Sequence, residues 1–217
     1  RTGNLELAEE LTDWVHHRLI NPEGLVMDGI RMTMSGPEPV DDIHAYCQGV
    51  MIGASLELAR AQRRSAGVAM DAVSEVGMPA ITRVQHLVGA VAEQMTSRNG
   101  GIDWRGGGGD GGLFKGILVR YLALVATSLP GADKATATTR RTARRLVLRS
   151  AEAVWRYRLE VDGLPLFPAS WGGDAVLPQS GGLVGAALSG AAASAEIPGR
   201  DLSVQLSGWL VLVAGAA

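Results

Sequence analysis

The chain has 217 residues, 47% of them hydrophobic, and 20 basic side chains against 22 acidic ones, for a formal net charge of −2. This length and composition suit one globular domain, or part of a larger one, with a sizeable core. The near-neutral charge gives no overall field that would draw the protein to nucleic acid or to an anionic membrane, so a charged partner must be met locally.

Cys47 is the single cysteine, which excludes an intrachain disulfide and favours a reducing, cytoplasmic compartment while leaving the location open. The opening "RTGNLELAEELTDWV" has no methionine and no charged-then-apolar leader. No signal peptide is therefore visible, and we expect an N-terminal portion to be missing. The apolar tracts "GLVGAALSGAAASA" and "LSGWLVLVAGAA" are shorter than the roughly 20 residues of a membrane-spanning helix, so no membrane span is predicted.

Apolar residues at helical spacing predict the first three helices. The first covers residues 4–20 with Asn4 as its N-cap, the second covers residues 42–63, and the third follows the break at "GMP". The predicted apolar stripe of the first helix is Leu7, Leu11, Trp14 and Val15. The predicted buried face of the third helix is Ile81, Val84, Val88, Val91 and Met95.

The second half of the chain predicts further helices. The segment "LFKGILVRYLALVATSL" is apolar on nearly every side, which indicates a helix buried between neighbours. A fifth helix is predicted over residues 135–158, a small-residue helix near residues 182–194, and a last helix from Asp201 as its cap. The inward face of the fifth helix is predicted as Ala143, Leu146, Val147, Ser150, Val154 and Trp155. A solvated, mostly outward face is predicted for Arg140, Arg141, Arg144, Arg145 and Arg149.

Between the fifth helix and the small-residue helix, a long loop is predicted with Pro165, Pro168, Trp171 and Pro178. No convincing strand with a period of two is found, although "GLVMDGIRMTM" can form a hairpin arm. No internal repeat of fixed period is found either. The predicted class is all-α.

The adjacent carboxylates Asp41 and Asp42 stand just before the second predicted helix. We read them as its N-terminal cap, because aspartate there accepts free backbone N–H bonds and complements the helix dipole. The alternative is contact with a substrate at the rim of a cleft.

Four segments, in order, carry a family resemblance: "GLVMDGI", "YCQGVMIGASLELA", "GGLFKGILVRYLALVA" and "DLSVQLSGWLVL". Together they resemble glycoside hydrolase family 76, the endo-acting α-1,6-mannanases, especially actinobacterial members, over nearly the whole chain. The resemblance implies an (α/α)6 barrel, a toroid of six inner and six outer helices. Residues 1–217 would form one domain supplying roughly the C-terminal half of it. Such a half would expose an apolar seam, to be covered by a missing N-terminal segment or by a second copy.

The family resemblance also implies a reaction, retaining hydrolysis of α-1,6-linked mannan by two carboxyl groups. The family's adjacent aspartates, one the nucleophile and one the acid/base, lie upstream of the region that this chain resembles, so no catalytic residue is predicted here. The implied partner is a mannose-containing glycan, and no cofactor or metal is expected. The alternatives are a non-catalytic carbohydrate-binding protein and a transglycosylase.

Six residues are predicted to bind substrate: Asp28, Tyr46, Gln48, Lys115, Arg120 and Gln205. Asp28, before Gly29, can accept hydrogen bonds from sugar hydroxyls, and its alternative is an Asp-Gly turn. Tyr46 and the two glutamines offer a stacking face and paired donors and acceptors. Lys115 and Arg120 match the family, and a buried ion pair is the alternative for both.

Other patterns are weighed and disfavoured. Cys47 stands where the family often has asparagine, and an inert buried thiol is favoured over a nucleophile. The segment "WRGGGGDGGLFKG" lacks the ending of a phosphate loop, and "TTRRTARRLVLR" comes without a nucleic-acid-binding module. The four histidines lack metal-ligand spacing. Three tryptophans can stack on a pyranose or pack in the core, namely Trp104, Trp171 and Trp209.

Overall fold

The computed structural model of this chain describes residues 2–104, 106, 108–176, 199 and 201–216. Within them the α-helices are α1 (Thr2–Leu19), α2 (Ala45–Ser65), α3 (Met78–Gln94), α4 (Phe114–Ser128), α5 (Lys134–Arg156) and α6 (Leu202–Ala216). Antiparallel hairpins are formed by β1 (Met27–Thr33) with β2 (Gly36–Ile43), and by β3 (Leu159–Val161) with β4 (Leu164–Leu166). The small-residue helix predicted near residues 182–194 and Pro178 lie outside the described residues.

The helices alternate along the chain between two layers. The inner helices α2, α4 and α6 form a row with α4 in the middle, packed against both of the others. The outer helices α1 and α3 pack against α2, and the outer helix α5 packs against α4 and α6. Along the chain, the described helices therefore form three successive pairs, each of an outer helix followed by an inner helix.

Glycine lets the inner helices approach closely. A Cβ added at Gly49 of α2 would lie 2.8 Å from the Cα of Leu118 on α4. A Cβ added at Gly116 of α4 would lie 2.8 Å from the Cα of Ser207 on α6. In place of that side chain, the Gly116 N–H donates a hydrogen bond of 2.8 Å to the Ser207 hydroxyl. The three inner backbones are thus in near contact on both sides of α4.

The central position of α4 confirms that this apolar helix is buried between neighbours. Leu118, Val119, Leu122 and Val125 are fully buried. Of the described residues, only the stretch Gly109–Ser128, which contains α4, is long and apolar enough to cross a membrane by length and composition. A core helix passes the same test, and α4 packs against α2, α5 and α6.

The hairpin of β1 and β2 confirms the predicted hairpin arm and corrects the expectation at the second helix. β2 extends to Ile43 and α2 begins only at Ala45, so Asp41 and Asp42 lie in a strand and cap nothing. The N-cap is His44, whose side chain makes no capping hydrogen bond. The exposure of β2 alternates along the strand, so the expectation that no period-two strand exists was also wrong.

The predicted apolar face is buried for α3, in the middle of the fold, but is partly exposed for α1, at its edge. The predicted face of α3 is fully buried, whereas Leu7, Leu11 and Trp14 of α1 are about half exposed. At the other edge α6 exposes a stripe formed by Leu202, Leu206, Trp209 and Val213. The described part of the chain therefore has an apolar strip along each edge of its row of helices, as an incomplete ring would.

Two predicted features of the segment around α5 also need correction. Trp155 is 48% exposed rather than inward, although the other residues predicted to face inward are buried or nearly so. The predicted long loop after α5 contains the hairpin of β3 and β4, whose turn is made by Asp162 and Gly163 at positive φ.

Gly49→Ala should lower the free energy of unfolding by about 1–3 kcal/mol, because the added methyl group meets backbone that cannot turn aside. Gly89→Ala in α3 is the matched control, since a Cβ there meets nothing within 4 Å. That control should raise the free energy of unfolding by about 0.5–1 kcal/mol, the usual gain from glycine to alanine inside a helix. Urea denaturation of both variants measures the two effects, and equal effects would refute the close approach of α2 and α4.

Candidate functional site

The connections that lead into the inner helices meet at one end of the fold and enclose a cleft of about 1090 Å³. The hairpin of β1 and β2 leads into α2, residues 95–113 lead into α4, and the segment after β4 lies on the path to α6. The cleft is lined by Asp41, Asp42, Ile43, His44, Asp103, Trp104, Gly106, Gly111, Phe114, Lys115, Ala169 and Ser170.

A β-bulge brings Asp41 and Asp42 to the cleft. Gly29 pairs with Val40 and Met27 pairs with Ile43, so the two aspartates on β2 stand opposite the single residue Asp28 on β1. A bulge of this kind re-aims side chains that regular pleating would send to opposite faces. Both aspartates are exposed and both line the cleft, which agrees with the alternative interpretation of contact at a cleft rim.

Lys115 lies in the first turn of α4, where it lines the cleft although only 2% of it is exposed. Its Nζ donates a hydrogen bond of 2.7 Å to the carbonyl oxygen of Ala169 and lies 4.9 Å from the ring centre of Trp171. No carboxylate of the described residues forms an ion pair with it, so the ion-pair alternative does not hold there. Burial lowers the pKa of Lys115 to about 8, against the opposing effect of Asp103. The lysine therefore joins α4 to the segment that follows β4.

The lowered pKa of Lys115 predicts a specific pH dependence. The ordinary value is 10.5, so between about pH 8 and pH 10.5 the unfolded chain binds the proton that the folded chain has lost. The free energy of unfolding should therefore rise across this window, by about 3 kcal/mol from this one group. Lys115→Met removes the effect, so the difference between the two pH profiles isolates it in urea titrations. Parallel profiles would show that the lysine is not buried as described.

Asp28 and Tyr46 form a pair behind the cleft. The Tyr46 hydroxyl donates a hydrogen bond of 3.0 Å to Asp28, and the Tyr46 ring centre lies 4.6 Å from that of Phe114. Both residues line an apolar groove of about 320 Å³ between α1 and α2, whereas Phe114 lines the cleft itself. Asp28 and Gly29 lie in β1, so the alternative of an Asp-Gly turn is wrong.

Gln48 and Gln205 share a pattern of hydrogen bonds to the backbone, although Gln48 is fully buried and Gln205 is half-buried. The Gln48 amide is fully buried, accepts from the N–H of Val26, and donates to the carbonyl oxygens of Val26 and His44. The Gln205 amide accepts from the N–H of Phe167 and donates to the carbonyl oxygens of Phe167 and Gly199. The N–H donors of both amides are therefore bonded to backbone carbonyl oxygens and are not directed toward a sugar. They hold the segments that lead toward α2 and α6.

Gln48→Leu should lower the free energy of unfolding by about 2–4 kcal/mol, because it leaves the buried N–H and carbonyl oxygen of Val26 without partners. The N–H of Val26 should also exchange with solvent much faster, which hydrogen exchange followed by NMR measures directly. Gln94→Leu, at an exposed position near the end of α3, is the control and should change little. If the Val26 N–H exchanged as slowly in Gln48→Leu as in the original protein, Gln48 would not hold this segment as described.

Two further predicted residues lie outside the cleft lining. Arg120 is exposed on α4, so the expectation of a buried cation was wrong for it. Cys47 is buried, and burial raises the pKa of its thiol, which disfavours the reactive thiolate. The interpretation of Cys47 as an inert thiol agrees with this environment.

The three tryptophans that were weighed as stacking residues lie in three different environments. Trp104 lines the cleft, and its indole N–H donates a hydrogen bond of 2.8 Å to the carbonyl oxygen of Ile43. Trp171 is buried in the core, and Trp209 is exposed on α6. The sequence reasoning missed His44, Asp103 and Phe114 as cleft residues. His44 directly precedes α2 and Phe114 begins α4, whereas Asp103 lies in the connection before α4, next to Trp104.

A row of inner helices backed by outer helices, with a cleft where the connections enter the inner row, is the arrangement of an α/α barrel. The family model of glycosyl hydrolase family 76 matches residues 2–180. The chain therefore belongs to glycosyl hydrolase family 76, as predicted, and its fold is part of an (α/α)6 barrel. No curated protein matches it.

Solved structures agree with this assignment. The GH76A α-1,6-mannanase of Salegentibacter sp. HEL1_6 matches with 27% identity and a TM-score of 0.70, over 100% of this chain and 53% of that one. An inactive variant of the same enzyme, with two adjacent aspartates replaced and in complex with α-1,6-mannotetrose, matches with the same identity and TM-score, over 52% of its length. The Lin0763 protein of Listeria innocua shares the fold at 24% identity, with a TM-score of 0.66 over 49% of its length. The chain thus spans about half the length of the structures that it matches.

Proposed function

We propose that this chain forms one wall of a glycan-binding cleft in a glycoside hydrolase that acts on α-1,6-linked mannan. The observation that carries the proposal is the cleft itself, which lies where the connections of a family 76 fold enter its inner helices. Support comes from a similar protein that was crystallised with α-1,6-mannotetrose in an inactive form.

The cleft lining has the chemistry of a sugar site. Trp104 and Phe114 offer aromatic faces on which the apolar face of a pyranose can stack. Carboxylates of Asp41, Asp42 and Asp103 can accept hydrogen bonds from sugar hydroxyls. Because Trp104 is held by the carbonyl oxygen of Ile43, its ring is fixed in place before a sugar arrives.

Cleavage would follow the retaining mechanism, in which one carboxylate attacks the anomeric carbon while a carboxylic acid protonates the leaving oxygen. The two groups must stand about 5–5.5 Å apart across the glycosidic bond. Our proposal assigns both groups to an aspartate pair upstream of this chain, supported by the similar enzyme that is inactive when two adjacent aspartates are replaced. Asp41 and Asp42 are exposed, which suits hydrogen bonding to sugar hydroxyls.

The two alternatives that the sequence leaves open, a binding protein and a transglycosylase, differ from a hydrolase in what happens to the bound glycan. A binding protein would hold mannan without cleaving it, and a transglycosylase would pass the glycosyl group to a second sugar instead of to water. Product analysis by NMR separates the three, because hydrolysis releases reducing ends and transfer yields longer chains.

Binding of α-1,6-mannotetrose by this chain, measured by isothermal titration calorimetry, tests the proposal. Trp104→Ala should weaken binding about ten-fold, because a stacked aromatic surface is lost. Trp14→Ala is the matched control, since Trp14 is an exposed tryptophan on α1 away from the cleft. Binding that both variants weaken equally, or that neither weakens, would contradict the assignment of the cleft.

Cleavage is tested in a protein that also contains the upstream aspartates. Loss of mannan cleavage on replacing those aspartates, with retained binding of the tetrasaccharide, is the expected result. Cleavage of mannan by residues 1–217 alone would show that the catalytic pair lies within this chain, and Asp41→Asn and Asp42→Asn would then identify it.

A further inference from the structure

The outer helix α5 concentrates positive charge in a nearly neutral chain. Lys134–Arg156 contains seven basic side chains and one acidic side chain, Glu152, whereas the whole chain has a net charge of −2. The apolar face of the helix is used inside the fold, where Leu146, Val147 and Val154 are buried. The charge is therefore confined to the outer face.

Most of this charge is not neutralised by carboxylates. Arg149 pairs with Glu152 at 2.9 Å, and Arg140 bonds the carbonyl oxygens of Leu129 and Gly131. The others are exposed and make no ion pair within the described residues. They are Lys134, Arg141, Arg144, Arg145 and Arg156.

Two apolar side chains lie among these arginines. At about 100° per residue, the positions of Arg141, Arg144, Arg145, Arg156, Leu148 and Trp155 fall within roughly 120° of one another around the helix. Leu148 is 39% exposed and Trp155 is 48% exposed. With a rise of about 1.5 Å per residue, the stretch from Arg141 to Arg156 is about 22 Å long. We call this stretch the basic face of α5.

We propose that the basic face of α5 binds the surface of an anionic lipid bilayer. Guanidinium groups pair with lipid phosphates in a bidentate manner, and a cluster of several arginines on one helix face is a recognised signal for anionic lipid. Leu148 and Trp155 fit a bilayer better than nucleic acid, because an apolar side chain and an indole favour the boundary between headgroups and acyl chains.

The position of the basic face leaves the cleft accessible. None of its residues lines the cleft, which lies at the end of the fold where the chain leaves α5. A bilayer would therefore contact the outer wall of the barrel beside the cleft. This inference stands on α5 alone and does not depend on the glycan that the cleft takes.

Sedimentation with lipid vesicles tests the proposal with the full chain. Vesicles of phosphatidylcholine with about 30% phosphatidylglycerol should bind the protein, and vesicles of phosphatidylcholine alone should not, because the attraction depends on anionic lipid. Binding should fall as salt concentration rises. Failure to bind the anionic vesicles at low salt would overturn the proposal.

The triple variant Arg141→Gln, Arg144→Gln, Arg145→Gln should weaken vesicle binding about 100-fold, since each basic residue at an anionic surface contributes about five-fold. The matched control, Arg18→Gln, Arg64→Gln, Arg98→Gln, removes the same charge from exposed positions off α5 and should change binding little. Leu148→Ser with Trp155→Ser tests the apolar contribution. Equal losses in the two triple variants would refute a localised face. Binding to DNA at the same salt without vesicle binding would assign the face to nucleic acid instead.

Discussion

The near contact of the three inner backbones is the constraint on which the rest of the structure depends. Gly49 and Gly116 remove side chains on the two sides of α4, and the freed N–H of Gly116 bonds the Ser207 hydroxyl. Because α4 is held between α2 and α6, its first turn has a fixed position at the cleft. Lys115 in that turn then reaches the carbonyl oxygen of Ala169, and Phe114 packs against Tyr46. The packing of α2, α4 and α6 thus determines the positions of Phe114 and Lys115 in the cleft lining.

The connections that lead toward α2 and α6 are held by the same pattern of hydrogen bonds. Gln48 and Gln205 each stand in the fourth position of an inner helix and bond both backbone groups of one residue, Val26 and Phe167. An amide that satisfies a backbone donor and acceptor together is most costly to remove where it is fully buried, as that of Gln48 is. Val26 and Phe167, in the connections that lead toward α2 and α6, are therefore anchored to these helices.

Much of the fold was predictable, because the spacing of apolar residues and the glycine and proline residues that end helices are local properties of a sequence. The buried face of α3, the buried position of α4 and the order of the family segments all followed from residues alone. The repetition of helix pairs leaves no fixed period in the sequence, because connections of unequal length separate the three pairs of the described residues. It was predicted only through the family resemblance. The exposed positions of Leu11 and Trp155 were also hidden, because the spacing of apolar residues locates a face without saying which neighbour covers it.

The site was less predictable than the fold, for a different physical reason. A motif names a side chain but not its partner, so Gln48 and Gln205 looked like sugar ligands although their amides face the backbone. Asp41 and Asp42 looked like helix caps because the prolines in "GPEPV" conceal the strand that carries them. The bulge opposite Asp28, which turns both aspartates to the cleft, depends on pairing with a separate strand and has no local signal.

The central claim is that the cleft at the ends of the inner helices receives the glycan. Its most direct test is an NMR titration of the 15N-labelled chain with α-1,6-mannotetrose that follows the indole N–H resonances of its five tryptophans. The account predicts that the resonance of Trp104 shifts on saturation, while those of Trp14, Trp155 and Trp209 stay in place. Saturable binding that leaves Trp104 unchanged and shifts Trp14 or Trp209 would place the glycan elsewhere and contradict the account.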